Sequence, residues 1–184
     1  MKLIFLAFII ILVSCGATGD HKHRNQPVTV IRSKSIIPVD TLCSCLLEAA
    51  ALFPNNNTVS AIEQIFQQRS DRYNIIYGNN PENSDQKILI YSVTTENENS
   101  NKVSSLLLNI PDSLQSLILI KDLVKLLGSP QKPSPLELVK KEYFDVKFYY
   151  KPEAQKEATI INVTTSYPYN YSNNKVFYIT LKRS

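Results

Sequence analysis

Few side chains in this chain combine type and spacing in a way that does chemistry. The two histidines, His21 and His23, flank Lys22 close to the N-terminus. Imidazoles one residue apart hold a metal firmly only with further donors, and Asp20 alone stands beside them, so they read as a solvated linker. With both histidines there, a histidine general base or a Ser-His-Asp arrangement has no place in the body of the chain. Carboxylates are available: Asp112, Asp122, Glu137, Glu142 and Asp145 share one region. Acids scattered over helix ends and strand edges are usually solvated, and nothing in their spacing pairs them. Cys43 and Cys45 stand two apart, a spacing that strains a direct bridge and that in a helix turns the side chains about 200° from one another. They read as buried free thiols, and C-x-C is not the C-x-x-C of thiol oxidoreductases. Four glycines build no phosphate loop, and the His-Glu-x-x-His and Gly-x-Ser-x-Gly patterns are missing. The chain is therefore expected to be no enzyme, with no cofactor and no metal.

The tyrosines offer contact chemistry instead. Seven of the ten, Tyr143, Tyr149, Tyr150, Tyr167, Tyr169, Tyr171 and Tyr178, fall in the last quarter. Alternation along residues 143–150 sends some inward and others outward. Tyr167-Pro168-Tyr169-Asn170-Tyr171 is turn-like, and its rings cannot all be buried. Tyrosine gives a large apolar area with a polar tip at modest entropy cost, which suits protein contacts. Stacking on carbohydrate is the rival use, weakened by the absence of Trp. Tyr167, Tyr169 and Tyr171, with Tyr149, are the candidate partner-binding residues.

The elements that must position them follow from periodicity. Val28 to Ile31 has the composition of a short strand. Asp40 or Thr41 can cap a helix over 42–53, with Leu42, Cys45, Leu46, Ala49 and Phe53 on one face, stopped by Pro54-Asn55-Asn56-Asn57. Ser60-Ala61-Ile62-Glu63 has the form of a capping box, followed by the stripe Ile62, Ile65, Phe66. Strands are expected over 73–77, 87–95 and 103–110. A second helix-then-strands run begins at Pro111: an apolar helix from Leu114 to Leu127 with Gly128 as its stop, then strands over 142–150, 158–165 and 175–182. The reading is an α+β fold with helices packed on an antiparallel sheet, either as two helix-strand-strand-strand units (58–110 and 111–184) or as one continuous sheet. Helices on one face leave the other face to solvent or a partner.

Composition narrows the class. Hydrophobic residues make up 43% of the chain, enough for a real core. The formal charge is +4, or +3 without Lys2, too small and too evenly spread for nucleic acid. At the N-terminus, Met1-Lys2 precedes an unbroken apolar run from Leu3 to Val13, too short to cross a bilayer, which takes ~20 helical residues. A charged start, a short apolar centre and small residues after it form a secretory signal. Leu12-Val13-Ser14-Cys15 resembles the bacterial lipobox, in which an aliphatic, a variable and a small residue precede a cysteine. The resemblance implies cleavage before Cys15, lipid on its thiol and acylation of the new amine. Two or more acyl chains hold a protein on its membrane, where one binds only reversibly. Gly16 stands where the Gram-negative sorting pattern places Asp for inner-membrane retention, which implies the outer membrane. The organisation is then a signal over 1–14, a lipidated tether over 15–27 and one α+β domain over 28–184. The competing reading is a plain secreted protein cut after Gly16, with Asn56, Asn162 and Asn170 as glycan acceptors.

Lys121-Asp122-Leu123-Val124-Lys125-Leu126-Leu127-Gly128-Ser129-Pro130 and the aromatic strand Phe144-Asp145-Val146-Lys147-Phe148-Tyr149-Tyr150 resemble the SmpA/OmlA-like envelope lipoproteins and the related β-lactamase-inhibitor-like fold. The similarity spans about residues 114–182. It implies a small helix-plus-hairpin module that acts by binding another protein. The extra helical and stranded half and the long Pro-rich loop depart from that family's pattern. The sequence thus points to a membrane-anchored, non-catalytic envelope lipoprotein that binds a protein, in envelope assembly or in an immunity or inhibitor role. The alternative is a periplasmic or surface lipoprotein that binds a glycan or small ligand.

Overall fold

A computed structural model describes residues 34–78, 87–131, 142–153, 155–166 and 174–184. The strand expected at Val28–Ile31 lies outside them. Helix α1, Val39–Leu52, begins three residues before the expected start. Its N-cap is Pro38, in an extended conformation and without a side-chain cap, so neither Asp40 nor Thr41 caps the helix. Proline fixes its own backbone and has no N–H to leave unpaired, while Asp40 in the first turn meets the positive end of the helix dipole. Leu42, Cys45, Leu46, Ala49 and Ala50 are buried, as is Phe53 just beyond the helix.

Helix α2, Val59–Ser70, is capped by Thr58, whose Oγ1 accepts from the Ala61 N–H at 3.3 Å, and not by Ser60 as the capping-box pattern suggests. The reason is tertiary. Buried Asn57 and Val103 exchange two hydrogen bonds, Val103 N–H to the Asn57 carbonyl at 2.7 Å and Asn57 Nδ2 to the Val103 carbonyl at 2.6 Å. That clamp fixes where the chain turns into the helix.

Strands β1 (Ile75–Tyr77), β2 (Leu89–Thr95) and β3 (Val103–Asn109) follow. Next come α3 (Asp112–Gln115) and α4 (Ile120–Leu127), where a single helix was expected. Leu114, Ile118, Ile120 and Leu123 are all buried. In one continuous helix the first two would point about 180° from the last two, at ~100° per residue. Leu119 takes an extended conformation (φ −113°, ψ 153°) and bridges to Lys175, which resets the phase so that both pairs reach the core. Gly128, with φ +85°, ends α4 as expected, its N–H on the Val124 carbonyl at 2.9 Å. A Cβ is strained at that φ. Strands β4 (Tyr143–Tyr150), β5 (Thr159–Ser166) and β6 (Val176–Arg183) complete the chain.

The six strands form one sheet in the order β1-β2-β3-β6-β5-β4. The α+β expectation holds, with one correction: β1 runs parallel to β2, Ile75 opposite Leu89, so the sheet is mixed and otherwise antiparallel. Parallel neighbours cannot be joined by a tight hairpin, and eleven residues, 78–88, separate the two strands. The two strand triplets meet at β3–β6 as one continuous surface. They are also laced together by α1, which belongs to neither half and whose Glu48 pairs with Arg69 of α2. Thr159 Oγ1 donates to the Ala50 carbonyl and Gln155 Nε2 to the Ala51 carbonyl, each at 2.6 Å, and so satisfy the last turn of α1 from more than a hundred residues away.

Candidate interaction face

Period-two alternation decides which side chains meet the helices. On the core side stand Leu89, Tyr91, Leu106, Leu108, Ile179, Leu181, Ile161, Val163, Val146 and Phe148, buried in one cluster with the apolar faces of α1, α2, α3 and α4. Phe66 of α2 stacks on Tyr91, ring centroids 4.4 Å apart. The opposite face follows from the register. Its middle row runs Ser92, Leu107, Thr180, Asn162, Lys147. One flanking row is Thr94, Ser105, Lys182, Ile160, Tyr149. The other is Ile76, Ile90, Asn109, Tyr178, Thr164, Asp145.

No helix among the described residues covers this second face. Most of its large apolar side chains are exposed, Leu107 and Tyr178 at 38%, Tyr143 at 45% and Tyr149 at 52%, while Ile90 is buried. Tyr143 meets Phe177 edge-on, ring centroids 5.2 Å apart, at the end where β5 leaves the sheet and β6 re-enters. Phe177 lies where the β5–β6 register shifts, between the Thr165–Val176 and Thr164–Tyr178 pairs. Tyr149 is held at the far edge by a 3.0 Å hydrogen bond between its hydroxyl and Gln131 Oε1, and Gln131 donates its N–H to the Lys147 carbonyl at 2.7 Å. Asp145 accepts from the Thr164 hydroxyl at 2.6 Å, so the few charges are spent near the rim while the centre is neutral.

Of the sequence-predicted contact residues, Tyr149 sits on this face. Tyr167, Tyr169 and Tyr171 lie outside the described residues, as does the lipidation candidate Cys15. Asn174 is the first described residue after those tyrosines. Its buried side chain donates from Nδ2 to the Ser166 carbonyl at 2.6 Å, and its carbonyl accepts from the Ile120 N–H at 3.4 Å. Leu107, Tyr143, Phe177 and Tyr178 were not singled out from the sequence as a surface. The signal was present: in Leu106-Leu107-Leu108, a one-sided sheet must send the middle leucine outward.

Elsewhere the candidate chemistry is quiet. Cys45 is fully buried and Cys43 half-buried, and neither is bridged. Burial pushes the Cys45 thiol up to about 11, against a smaller opposing pull from Arg69. Burial, then Asp40 and Asp122, raise Cys43 as well. Both are held as thiols at neutral pH, the wrong state for a nucleophile. Asp122 lies 3.9 Å from Lys125, and Asp145 serves Thr164. Among the described residues no three His, Cys, Asp or Glu side chains come together as metal ligands, and no helix is long and apolar enough to cross a membrane. Asn162 stands in the middle of β5 with its Oδ1 shut from solvent, no place for a glycan, whereas Asn56 is exposed. A groove of about 470 Å³ runs between α1 and α2, floored by Ala51, Leu52, Ala61 and Ile65 and rimmed by Glu48, Gln64 and Gln68. Glu48 is fixed there by Arg69 at 2.5 Å.

No protein-family model, curated protein or solved structure matches the chain. The likeness of residues 114–182 to the SmpA/OmlA-like lipoproteins gains no support from them.

Proposed function

We propose that this chain is a lipid-anchored, non-catalytic protein of the bacterial envelope that binds another protein through the open face of its sheet, in envelope assembly or in an immunity or inhibitor role. The observation that carries the binding half of this reading is a sheet face that no described helix covers. Leu107, Tyr143, Tyr149 and Tyr178 remain exposed on it while every described helix packs on the other side. Aromatic rings around a neutral centre, with charges at the margin, are the composition of a protein interface. The anchoring half is supported by the resemblance of Leu12-Val13-Ser14-Cys15, after its short apolar run, to a lipobox, which implies lipid on Cys15 and, by the Gly16 pattern, the outer membrane.

Two readouts test it. The mature N-terminus from membrane fractions is expected to begin at an acylated Cys15, with a Cys15→Ser variant left unprocessed to that form; a mature chain starting elsewhere without lipid overturns the anchor. Affinity purification of the tagged chain is expected to retain a stoichiometric protein that Leu107→Glu with Tyr178→Ser releases. Retention unchanged by those substitutions overturns the face.

A second reading, capture of a small ligand, draws on the α1–α2 groove, whose volume falls in the few-hundred-Å³ range of ligand pockets. It predicts that Ala61→Phe abolishes ligand retention and leaves the protein partner bound.

A further inference from the structure

We infer that the open face is self-complementary and that the protein bound there is a second copy of this chain, related by a twofold axis that crosses the strands along the middle row. This rests on the reading of the open face as a binding surface and goes further by naming its occupant. Three observations converge on it.

The first is size. Five strands of about seven residues and the three-residue β1, at about 3.3 Å per residue and 4.8 Å between strands, present roughly 600 Å² per copy and about 1,200 Å² in all. That lies at the lower edge of the ~1,200–2,000 Å² of stable protein interfaces, and face-to-face sheets pack with their strands nearly aligned.

The second is the pattern of side chains under that axis. A twofold axis across the strands lays the middle row on itself and exchanges the two flanking rows. Leu107 then meets Leu107 of the second copy, and exposed apolar area is covered by its like. Lys182 falls over the ring of Tyr178 of the second copy, a cation–π placement. At the β4 edge the axis sets Lys147 against Lys147 of the second copy, and Asp145 of each copy lies one row to either side, so the two ammonium groups are flanked by two carboxylates. The alternative twofold, along the strands, sets the Asp145 carboxylate against Ile76 and Leu107 against Thr180. Only the first arrangement sets Leu107 against Leu107 and brings a ring or a carboxylate near each lysine.

The third is charge. The face carries Lys147, Lys182 and Asp145 alone among ionisable acids and bases, too little of one sign to repel a copy of itself. An isologous contact of this kind also closes on itself and does not propagate into a filament. A lipid anchor would confine copies to one surface and raise their effective concentration, so a modest affinity suffices there.

The test uses the full chain carrying Cys15→Ser, solubilised in mild detergent, with mass read by multi-angle light scattering over a concentration series. Dimers are expected to be half-formed between about 1 and 100 µM, the weak range for an interface at the small end of the size class. Leu107→Glu places two like charges on the axis, and its effect counts twice, so the dissociation constant is expected to rise at least ~100-fold. Thermal unfolding of that variant is measured beside it, because Leu107 faces solvent in the monomer and the fold should be unaffected. Independently, Leu107→Cys is oxidised and run on a non-reducing gel. It is expected to give a disulfide-linked dimer, which Leu117→Cys, exposed outside the sheet face, and the parent chain do not. A dimer that survives Leu107→Glu, or equal cross-linking from Leu117, overturns the proposal. A monomer at every concentration also overturns it, and the two readings then separate. If the tagged chain still retains a different protein that Leu107→Glu releases, the face binds a foreign partner; if it retains nothing, the binding-face reading fails as well.

Discussion

The two faces of one sheet are built from the same strands and differ at every other residue. In β3, Leu106 and Leu108 are 0% exposed and Leu107 between them is 38% exposed. In β4, Val146 and Phe148 are 0% exposed while Tyr149 is 52% exposed. The core face ends mainly in aliphatic and Phe side chains, with Tyr91 among them, that four helices cover. The open face ends in Tyr, Thr, Ser and Asn with one leucine and three isoleucines, the residues of a surface that is sometimes wet and sometimes covered. A protein with no partner for that face would be expected to place charge there. This one keeps three charged side chains on it, two of them on the edge strand.

The largest effects are expected from breaking the covered face. Phe148→Ala removes a fully buried ring beneath the helices and should cost about 3–5 kcal/mol of stability in urea titration, whereas Leu107→Ala, one strand position type away, should cost less than about 0.5 kcal/mol. Equal costs would mean that the open face is packed by something the comparison omits. Next comes the clamp that positions α2. Asn57→Ala leaves the buried Val103 carbonyl without its side-chain donor and should cost about 1–3 kcal/mol. Thr58→Ala, which removes the cap of the same helix, should cost about 1 kcal/mol, and Ser60→Ala much less, because Ser60 is not the cap.

Two titrations give smaller effects of opposite sign. Cys45 has a folded pKa pushed above its unfolded value, to about 11 from 9.0, so its contribution is complete below pH 9 and is lost as pH rises toward 11. Cys45→Ala should flatten that part of the stability curve relative to the parent. Glu157 is the reverse case. Its hydrogen bond from Arg183, at 2.8 Å, holds its carboxyl below the ordinary 4.5, so the contribution is present above that value and lost as pH falls below it. Both groups are on the surface and screened by salt, so Glu157→Gln should alter the acid limb only slightly.

The comparison also explains what sequence alone could reach. The stripe of α1, Leu42, Cys45, Leu46, Ala49 and Phe53, was legible because a 3.6-residue period is a local property. The strands were legible for the same reason, within a residue or two at their ends. Three features depended on contacts distant in sequence and were not. Leu119 breaks the expected helix because Leu114 and Ile118 on one side and Ile120 and Leu123 on the other must reach the same core. Thr58, not Ser60, caps α2 because Asn57 is tied to Val103. The parallel pairing of β1 with β2 is a long-range register that no residue type in β1 announces. The candidate site was half legible: an aromatic-rich C-terminal quarter was visible, and Tyr149 with it. The set formed by Leu107, Tyr143, Phe177 and Tyr178 exists only once β3, β6, β5 and β4 are laid side by side.

The most direct test of the account is photo-cross-linking in intact membranes from a probe at position 107, beside the same probe at Leu117. The account predicts a discrete adduct from position 107 and none from 117, with the chain itself anchored through Cys15. An adduct of twice the chain's mass identifies a second copy, and a heavier or lighter one a different protein on the same face. No adduct from 107, or equal adducts from both positions, would contradict the claim that the open face of the sheet is where this protein works.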